Sequence, residues 1–574
     1  MLSKRRLATI ASVISVLFLT AVLRTVQVQL IEFPSHARQA SAQQIGSVDT
    51  LAPRGAIFDR NGNVLAVSNR AFVVRMDTNI VTDTLSAATY ANIIAPALNQ
   101  PVDSLRRRIE SIIKDSHATP RTLPNIIAYN VTPDAITALK EVIHVKRLAG
   151  IWEEEHWTRA YPFGPLAGPT VGFTTLFGSN FSGVEAFANG ELAETPGVRT
   201  GRTRIDLLDS KPTLSGADLV LSLDINLQSY VERRLAQAVA QNGAKSGNII
   251  VMETATGKVL ASASWPGYDP NRVLELAADP DTAKWLKDPA VSDIYEPGSV
   301  MKVCTIAAAL DVGAVTPDSV FNDPGKIIVE GKTIRNSDRA AHGNVDLTTT
   351  LAKSLNVVTV QVAQKMGAQQ FYRGIQAFGI GNRTGIDLGG ESAGMLRTPN
   401  DEDWSKIDLA TNSFGQGMAT TPIQVLNAVN AIANDGLLMQ PYVIQEWRGA
   451  DGQVIVKNPV QRQRAISAQT ALTMRKMMRT ATMSATPEVA PKGYTVAGKT
   501  GTADWYLRGI KQETTMVTYA GFLPAEHPRI TILVKFDEPR SSRWAADTTI
   551  PVFRDVATRA VKLLGVPPDL VSSE

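Results

Sequence analysis

The residues most able to do chemistry in this chain are Ser299 and Lys302, in the run Glu296-Pro297-Gly298-Ser299-Val300-Met301-Lys302. A Pro-Gly turn followed by an apolar run to Ala307 predicts that Ser299 opens a helix. Lys302 then lies one turn on, on the same face. A serine hydroxyl is a weak nucleophile and needs a base beside it. A buried lysine held near another cation can shed its proton and serve as that base. The helix N-terminus places positive potential where a tetrahedral oxyanion would form. The chemistry predicted is attack of Ser299 on a carbonyl, with an acyl-serine intermediate.

Alone, a Ser-x-x-Lys pattern says little. A second copy, Ser111 to Lys114, sits mid-helix among charges and reads as a solvated face. Company distinguishes the first. Ser354-Leu355-Asn356 follows, and later Lys499-Thr500-Gly501-Thr502, after a strand-like run from Tyr494 to Ala497. Ser354 suits a proton relay between Lys302 and a leaving group. Asn356 can orient Lys302 and hold a substrate amide. Lys499 offers positive charge to a substrate carboxylate, which the Thr500 and Thr502 hydroxyls can bond. Gly501 lets a substrate backbone lie along the strand edge. The Ser299 and Thr502 amides are expected to form the oxyanion hole.

These motifs need elements to carry them. The chain has 574 residues, 44% hydrophobic and 20% charged, the balance of a folded protein of several domains. Lys+Arg 58 against Asp+Glu 54 leaves +4, too even for a protein that lives on nucleic-acid phosphates. One cysteine, Cys304, excludes an intramolecular disulfide and a cysteine zinc cage, and reads as a core residue. Six scattered histidines form no HxxxH pair, so a His-rich metal site is not expected.

Leu7 to Leu23 carries no charge, follows Lys4-Arg5-Arg6, and extends to Ile31. At 1.5 Å per residue, 7–31 can span a ~30 Å hydrocarbon core. The basic flank predicts a single-pass anchor with its N-terminus (1–6) in the cytoplasm and the bulk outside. Asp59-Arg60-Asn61-Gly62 between apolar runs predicts a hairpin. Residues 75 to 150 read as helical in pieces, one opened by Thr132-Pro133-Asp134. Asp224 and Gly243 bracket a helix over Ile225 to Gln241. Two strands cross Ala255-Thr256-Gly257, helices fill 299 to 440, three late strands follow, and a last helix runs from Pro551 to Leu564. The expectation is an α+β protein: a first region at 40–215, a second domain at 216–566 with an antiparallel sheet against a helical lobe, and a tail at 567–574; the resemblance described next makes the first a pedestal and the second the catalytic domain.

The order of the three motifs, with further blocks, resembles the class B penicillin-binding proteins, monofunctional peptidoglycan transpeptidases. Those blocks are Arg54 to Ala66, Arg159 to Gly164, Gly183-Val184-Glu185, Thr256 to Ser264, Phe414-Gly415-Gln416-Gly417 with Thr421-Pro422, and Ala497 to Ala503. The resemblance implies the penicilloyl-serine-transferase fold (β-lactamase/transpeptidase-like) on a dimerisation-type pedestal. It implies stem peptides as substrates, D-Ala-D-Ala as donor and an amine as acceptor, β-lactams as acylating mimics, and no need of a metal or organic cofactor. It also implies a membrane partner, a polytopic SEDS-type glycosyltransferase (FtsW-like), with other divisome proteins. The segment Val496 to Pro539 leans to the division-specific FtsI type, although Arg540 to Thr549 lacks the usual Tyr-Gly-Gly. The elongation-specific type is the alternative, and a non-catalytic scaffold or β-lactam sensor a further one. A bifunctional class A enzyme is not expected. Neither is a carboxypeptidase or β-lactamase, given the large pedestal.

Overall fold

A computed structural model describes residues 12–20, 24, 46–50, 52–118, 125–174, 182–193, 195, 197–201, 208–211, 213–507 and 510–570. They divide into two compact units. The smaller comprises Met1–Pro53 and Glu194–Ser215. In it, Gly46–Thr50, Gly197–Gly201 and Leu208–Lys211 form a three-stranded antiparallel sheet. Of the expected anchor, 12–20 and 24 are helical and the rest lies outside the described residues. No described helix is long and apolar enough to cross a membrane.

The larger unit comprises Arg54–Ala193 and Gly216–Glu574. Its catalytic part is built on a five-stranded antiparallel sheet in the order Val259–Trp265, Ser246–Glu253, Ile530–Asp537, Ile510–Leu523, Ala497–Leu507. Strand Ser246–Glu253 shows why two helical layers cover it. Ile249 and Val251 pack with Leu227, Val231 and Phe553, whereas Ile250 and Met252 pack with Ile306 and Leu426. This is the period-two alternation of a strand buried on both faces. Helices Ile225–Asn242 and Ala545–Leu563 lie on the first face, and Pro422–Ala433, buried all round, on the second.

Local chemistry set several elements as expected. Asp224 accepts from Asn226 and Leu227 N–H at the start of its helix, and Gly243 ends it at φ 56°. Thr132 caps Pro133–Lys146. In the Asp59–Gly62 turn, buried Asp59 accepts from the Asn61 and Asn63 amides at 2.8 Å and from Ile225 N at 3.1 Å. The turn is thereby tied to the next domain's first helix.

Other elements differ. Ile126–Val131 is a strand inside the stretch read as helical, and short hairpins at 320–346 interrupt the helix-rich region. The last helix starts at Ala545, so Pro551 is interior rather than first. Ala545, Thr548, Thr549 and Ile550 are buried, and that packing outweighs the ~3 kcal/mol an interior proline costs. A second sheet runs Val454–Val456, Ile444–Arg448, Asp218–Leu221, Ile57–Phe58, Val64–Met76, Ile126–Val131, with Ile151–Ala160 also on Val64–Met76. Asp218–Leu221 pairs in parallel with Ile57–Phe58, so one sheet passes through the expected boundary at 215/216.

Candidate active site

Ser299 sits in a 3-10 turn, Gly298–Val300, that feeds the helix Met301–Asp311. Gly298 adopts φ +57°, and a Cβ there would stand 2.8 Å from the Thr502 carbonyl oxygen. A Cβ on Gly415 would strike the Gly298 carbonyl, whose own amide donates to Gly415 O at 3.0 Å. A Cβ on Gly501 would meet Pro297 O at 2.6 Å and Val300 Cγ2 at 2.9 Å. Real Cβ atoms do not come this close. Three glycines from three distant segments are therefore required to seat the serine turn between the Phe414–Gly417 loop and the strand Ala497–Leu507. For Gly501 this is a packing demand, distinct from the room for substrate that its sequence context suggested.

Every residue of the helix from Met301 to Ala309 is buried, Lys302 and Cys304 included. Lys302 Nζ donates to Ser354 O at 2.5 Å and to Ser354 Oγ at 3.1 Å. No carboxylate pairs with it among the described residues. Burial first, and the positive charge of Lys499 second, hold the Lys302 ammonium well below its ordinary pKa. The second cation expected for an activated lysine is thus Lys499.

Ser354 reaches Lys302 through backbone strain. It is the left-handed cap (φ 55°, ψ 47°) of helix Leu347–Lys353, before Leu355 and the helix Asn356–Met366. That conformation costs a residue with a Cβ about 1 kcal/mol or more, and it turns both Ser354 oxygens to Lys302. Asn356 lies close in sequence but donates to Arg335 O at 2.9 Å, rather than to Lys302.

Lys499 lies near the start of an edge strand: among the described residues Ala497–Leu507 pairs with Ile510–Leu523 alone. In an antiparallel strand alternate residues point their N–H and C=O to opposite edges. Gly498 spends its outward pair on Thr482, whose Oγ1 accepts from Gly498 N and donates to Gly498 O, both at 3.0 Å. The outward groups of Thr500 and Thr502 therefore line the free edge beyond Thr482. The Thr502 backbone borders the serine turn, its O, C and N 2.8, 3.0 and 3.3 Å from where a Cβ on Gly298 would stand. Lys499 Nζ donates to Thr500 O and Oγ1 at 3.1 Å, and burial pushes it down to about 7.

Sequence reasoning missed Thr482 and Glu296. Thr482 had no signal, being one of many helix residues. Glu296 directly precedes the Pro-Gly turn. Its Oε1 accepts from Gly417 N at 3.0 Å, fastening the turn to the glycine loop, and its Oε2 is buried without a partner. The second Ser-x-x-Lys copy is a surface feature: Ser111 donates to Asp115 on an exposed face. Among the described residues no cluster of His, Cys, Asp and Glu could hold a metal ion.

The family blocks of the pedestal converge as well. Glu185 is fully buried, its Oε2 2.8 Å from Arg54 Nη2 and its Oε1 2.6 Å from Arg159 Nε. Tyr161 Oη donates to the same carboxylate at 3.4 Å.

Comparison with known proteins agrees with this architecture. Residues 247–558 match the penicillin-binding protein transpeptidase domain, and 49–198 the penicillin-binding protein dimerisation domain. The penicillin-binding protein PbpB of Mycolicibacterium smegmatis is 30% identical over 95% of this chain and 89% of its own length. The peptidoglycan D,D-transpeptidase FtsI of Escherichia coli is 31% identical over 91% of this chain and 85% of its own. The crystal structure of penicillin-binding protein 3 of Mycobacterium tuberculosis with aztreonam superposes with a TM-score of 0.69 at 27% identity, covering 92% of this chain and 100% of that one. A serine turn and a KTG strand in contact, on a chain matched along nearly its whole length, place this protein in the class B penicillin-binding protein family, most like the FtsI type.

Proposed function

We propose that this chain is a peptidoglycan D,D-transpeptidase of septal wall synthesis and a penicillin target, with Ser299 as nucleophile. The observation that carries the reading is the buried Lys302 amine, one turn from Ser299 and bonded to Ser354 Oγ. Neutral Lys302 takes the Ser299 proton as Oγ attacks the carbonyl of a D-Ala-D-Ala donor. The Ser299 and Thr502 amides hold the oxyanion. The proton passes through Ser354 to the departing D-Ala amine, leaving an acyl-serine. A side-chain amine of a neighbouring stem peptide then attacks the acyl group, gives its proton back by the same route, and forms the crosslink. Lys499 with Thr500 and Thr502 holds the donor carboxylate, and the donor backbone adds to the free strand edge. Asn356 borders this cleft and holds substrate amide.

A single-pass anchor at 7–31, N-terminus inside, fits the apolar side chains of Val13, Ile14 and Val16 to Leu19, all exposed on helical residues. The pedestal (40–215) and anchor are the surfaces for an FtsW-like glycosyltransferase and other divisome proteins, with 216–566 as the catalytic domain. The reading is tested by intact-mass spectrometry after incubation with a penicillin, beside Ser299→Ala. A stoichiometric, slowly hydrolysed adduct that vanishes in the variant is expected. An adduct that persists in Ser299→Ala, or rapid drug turnover, overturns it.

A further inference from the structure

The helix Asn356–Met366 carries Asn356 at its first position, and Leu355 before it supplies no side-chain cap. The first amides of a helix have no partner within it, and a buried one must find a partner elsewhere. Here Val357 N donates to Asn336 Oδ1 at 3.2 Å, across 21 residues of chain. Asn356 Nδ2 donates to the carbonyl of the neighbouring Arg335 at 2.9 Å. The dipeptide Arg335-Asn336 thus grips both the Asn356 side chain and the backbone that follows it.

Arg335 ends the strand Lys332–Arg335, and Asn336 after it is buried. Asn336 Nδ2 donates to Asp323 Oδ2 at 2.7 Å and to Ala340 O at 3.1 Å. A carbonyl only accepts, so these bonds fix the amide with Oδ1 toward Val357. Asp323 is buried too, and its other oxygen accepts from Gly325 N at 2.9 Å. A Cβ on Gly325 would stand 2.9 Å from Ala340 O, so the loop is closed tightly over this pair. One buried Asn–Asp pair therefore ties together the hairpins that join Val320–Asp323 to Gly343–Asp346 and Lys326–Val329 to Lys332–Arg335. The same hairpins end at Asp346, which caps helix Leu347–Lys353 by accepting from Thr349 N at 2.6 Å. Both sides of Ser354-Leu355-Asn356 rest on the hairpins, the earlier helix through Asp346 and the later one through Asn336.

We propose that Asn336 is a positioning residue for acyl transfer, holding Asn356 where it can bond the substrate amide; this role presupposes Ser299 as nucleophile. The test is the second-order acylation rate of the full chain with two drugs. Benzylpenicillin carries a side-chain amide, and 6-aminopenicillanic acid has an amine in its place. Asn336→Ala should slow benzylpenicillin about tenfold or more and leave 6-aminopenicillanic acid within about twofold. In an Asn356→Ala background the same substitution should cost no more than about twofold, because its effect runs through a side chain already removed. Asn336→Asp sets two carboxylates face to face and should slow benzylpenicillin likewise. Adding Asp323→Asn restores a donor between them and should recover the rate to within about threefold of the parent. Unchanged benzylpenicillin acylation by folded Asn336→Ala, equal slowing of both drugs, an undiminished effect beside Asn356→Ala, or a folded exchanged pair that stays slow would each overturn the role of Asn336. With the parent adduct lost in Ser299→Ala, those results leave the nucleophile standing; an adduct kept in Ser299→Ala overturns both.

Discussion

Around Glu185 two guanidiniums share one buried carboxylate; Lys302 and Lys499 are two buried amines with no carboxylate paired to either among the described residues. In the first cluster each guanidinium meets one oxygen of the shared carboxylate, so buried charge is opposed by buried charge, with one positive charge left over and Arg159 Nη2 unpartnered. The second has no such opposing charge. Its lysines spend their bonds on Ser354 and Thr500 oxygens, and the charge penalty appears as depressed basicity. A structural cluster meets most of its own electrostatic demand, whereas a catalytic one leaves it for the substrate to meet. Here that demand yields both a base able to take a serine proton and a seat for a carboxylate.

The largest effect that sharpens this contrast is expected at Lys302. Lys302→Met should slow acylation by a penicillin about 10²–10⁴-fold, yet leave the unfolding midpoint unchanged or higher, because an uncompensated charge leaves the core. Stopped-flow acylation and urea unfolding of the same sample measure both. A variant that acylates normally would remove Lys302 as the base.

Glu185→Gln should do the reverse. It strands two guanidiniums and should cost about 3–5 kcal/mol of stability. Penicillin acylation of the remaining folded protein should keep its rate. Loss of acylation without loss of stability would show that the cluster belongs to the catalytic machinery after all.

The smallest effect concerns pH. Lys499 has its pKa lowered from 10.5 to about 7 on folding. Between those values the unfolded chain binds more protons than the native one, so stability should rise with pH from about 7 upward. Below about 7 both forms are protonated and the penalty is at its full value. Urea midpoints at neutral and alkaline pH should show this rise, and Lys499→Met should flatten it. A carboxylate ligand should oppose it by restoring the ammonium.

Much of the site was legible in the sequence because its chemistry is local. A Pro-Gly turn before an apolar run puts Ser299 at a helix start, and helical spacing brings Lys302 to the same side. The caps at Asp224 and Thr132 and the Asp59 turn are likewise decided within a few residues. Less was legible where a residue's role is set by a distant segment. Asn356 turned to Arg335, and Pro551 entered a helix because buried neighbours before it held the turn.

The sequence by itself determined which chemical groups are present, their order, and the short elements that carry them, since turn, cap and periodicity preferences act between near neighbours. Only the tertiary structure decided that Ser354 takes a left-handed conformation to reach Lys302, and that Gly298, Gly415 and Gly501 must be glycines for one another's sake. It also brought Arg54 and Arg159 onto the one carboxylate of Glu185 and stripped Lys302 and Lys499 of solvent. Burial, close approach and long-range pairing arise when remote segments exclude water together, and no local spacing encodes that.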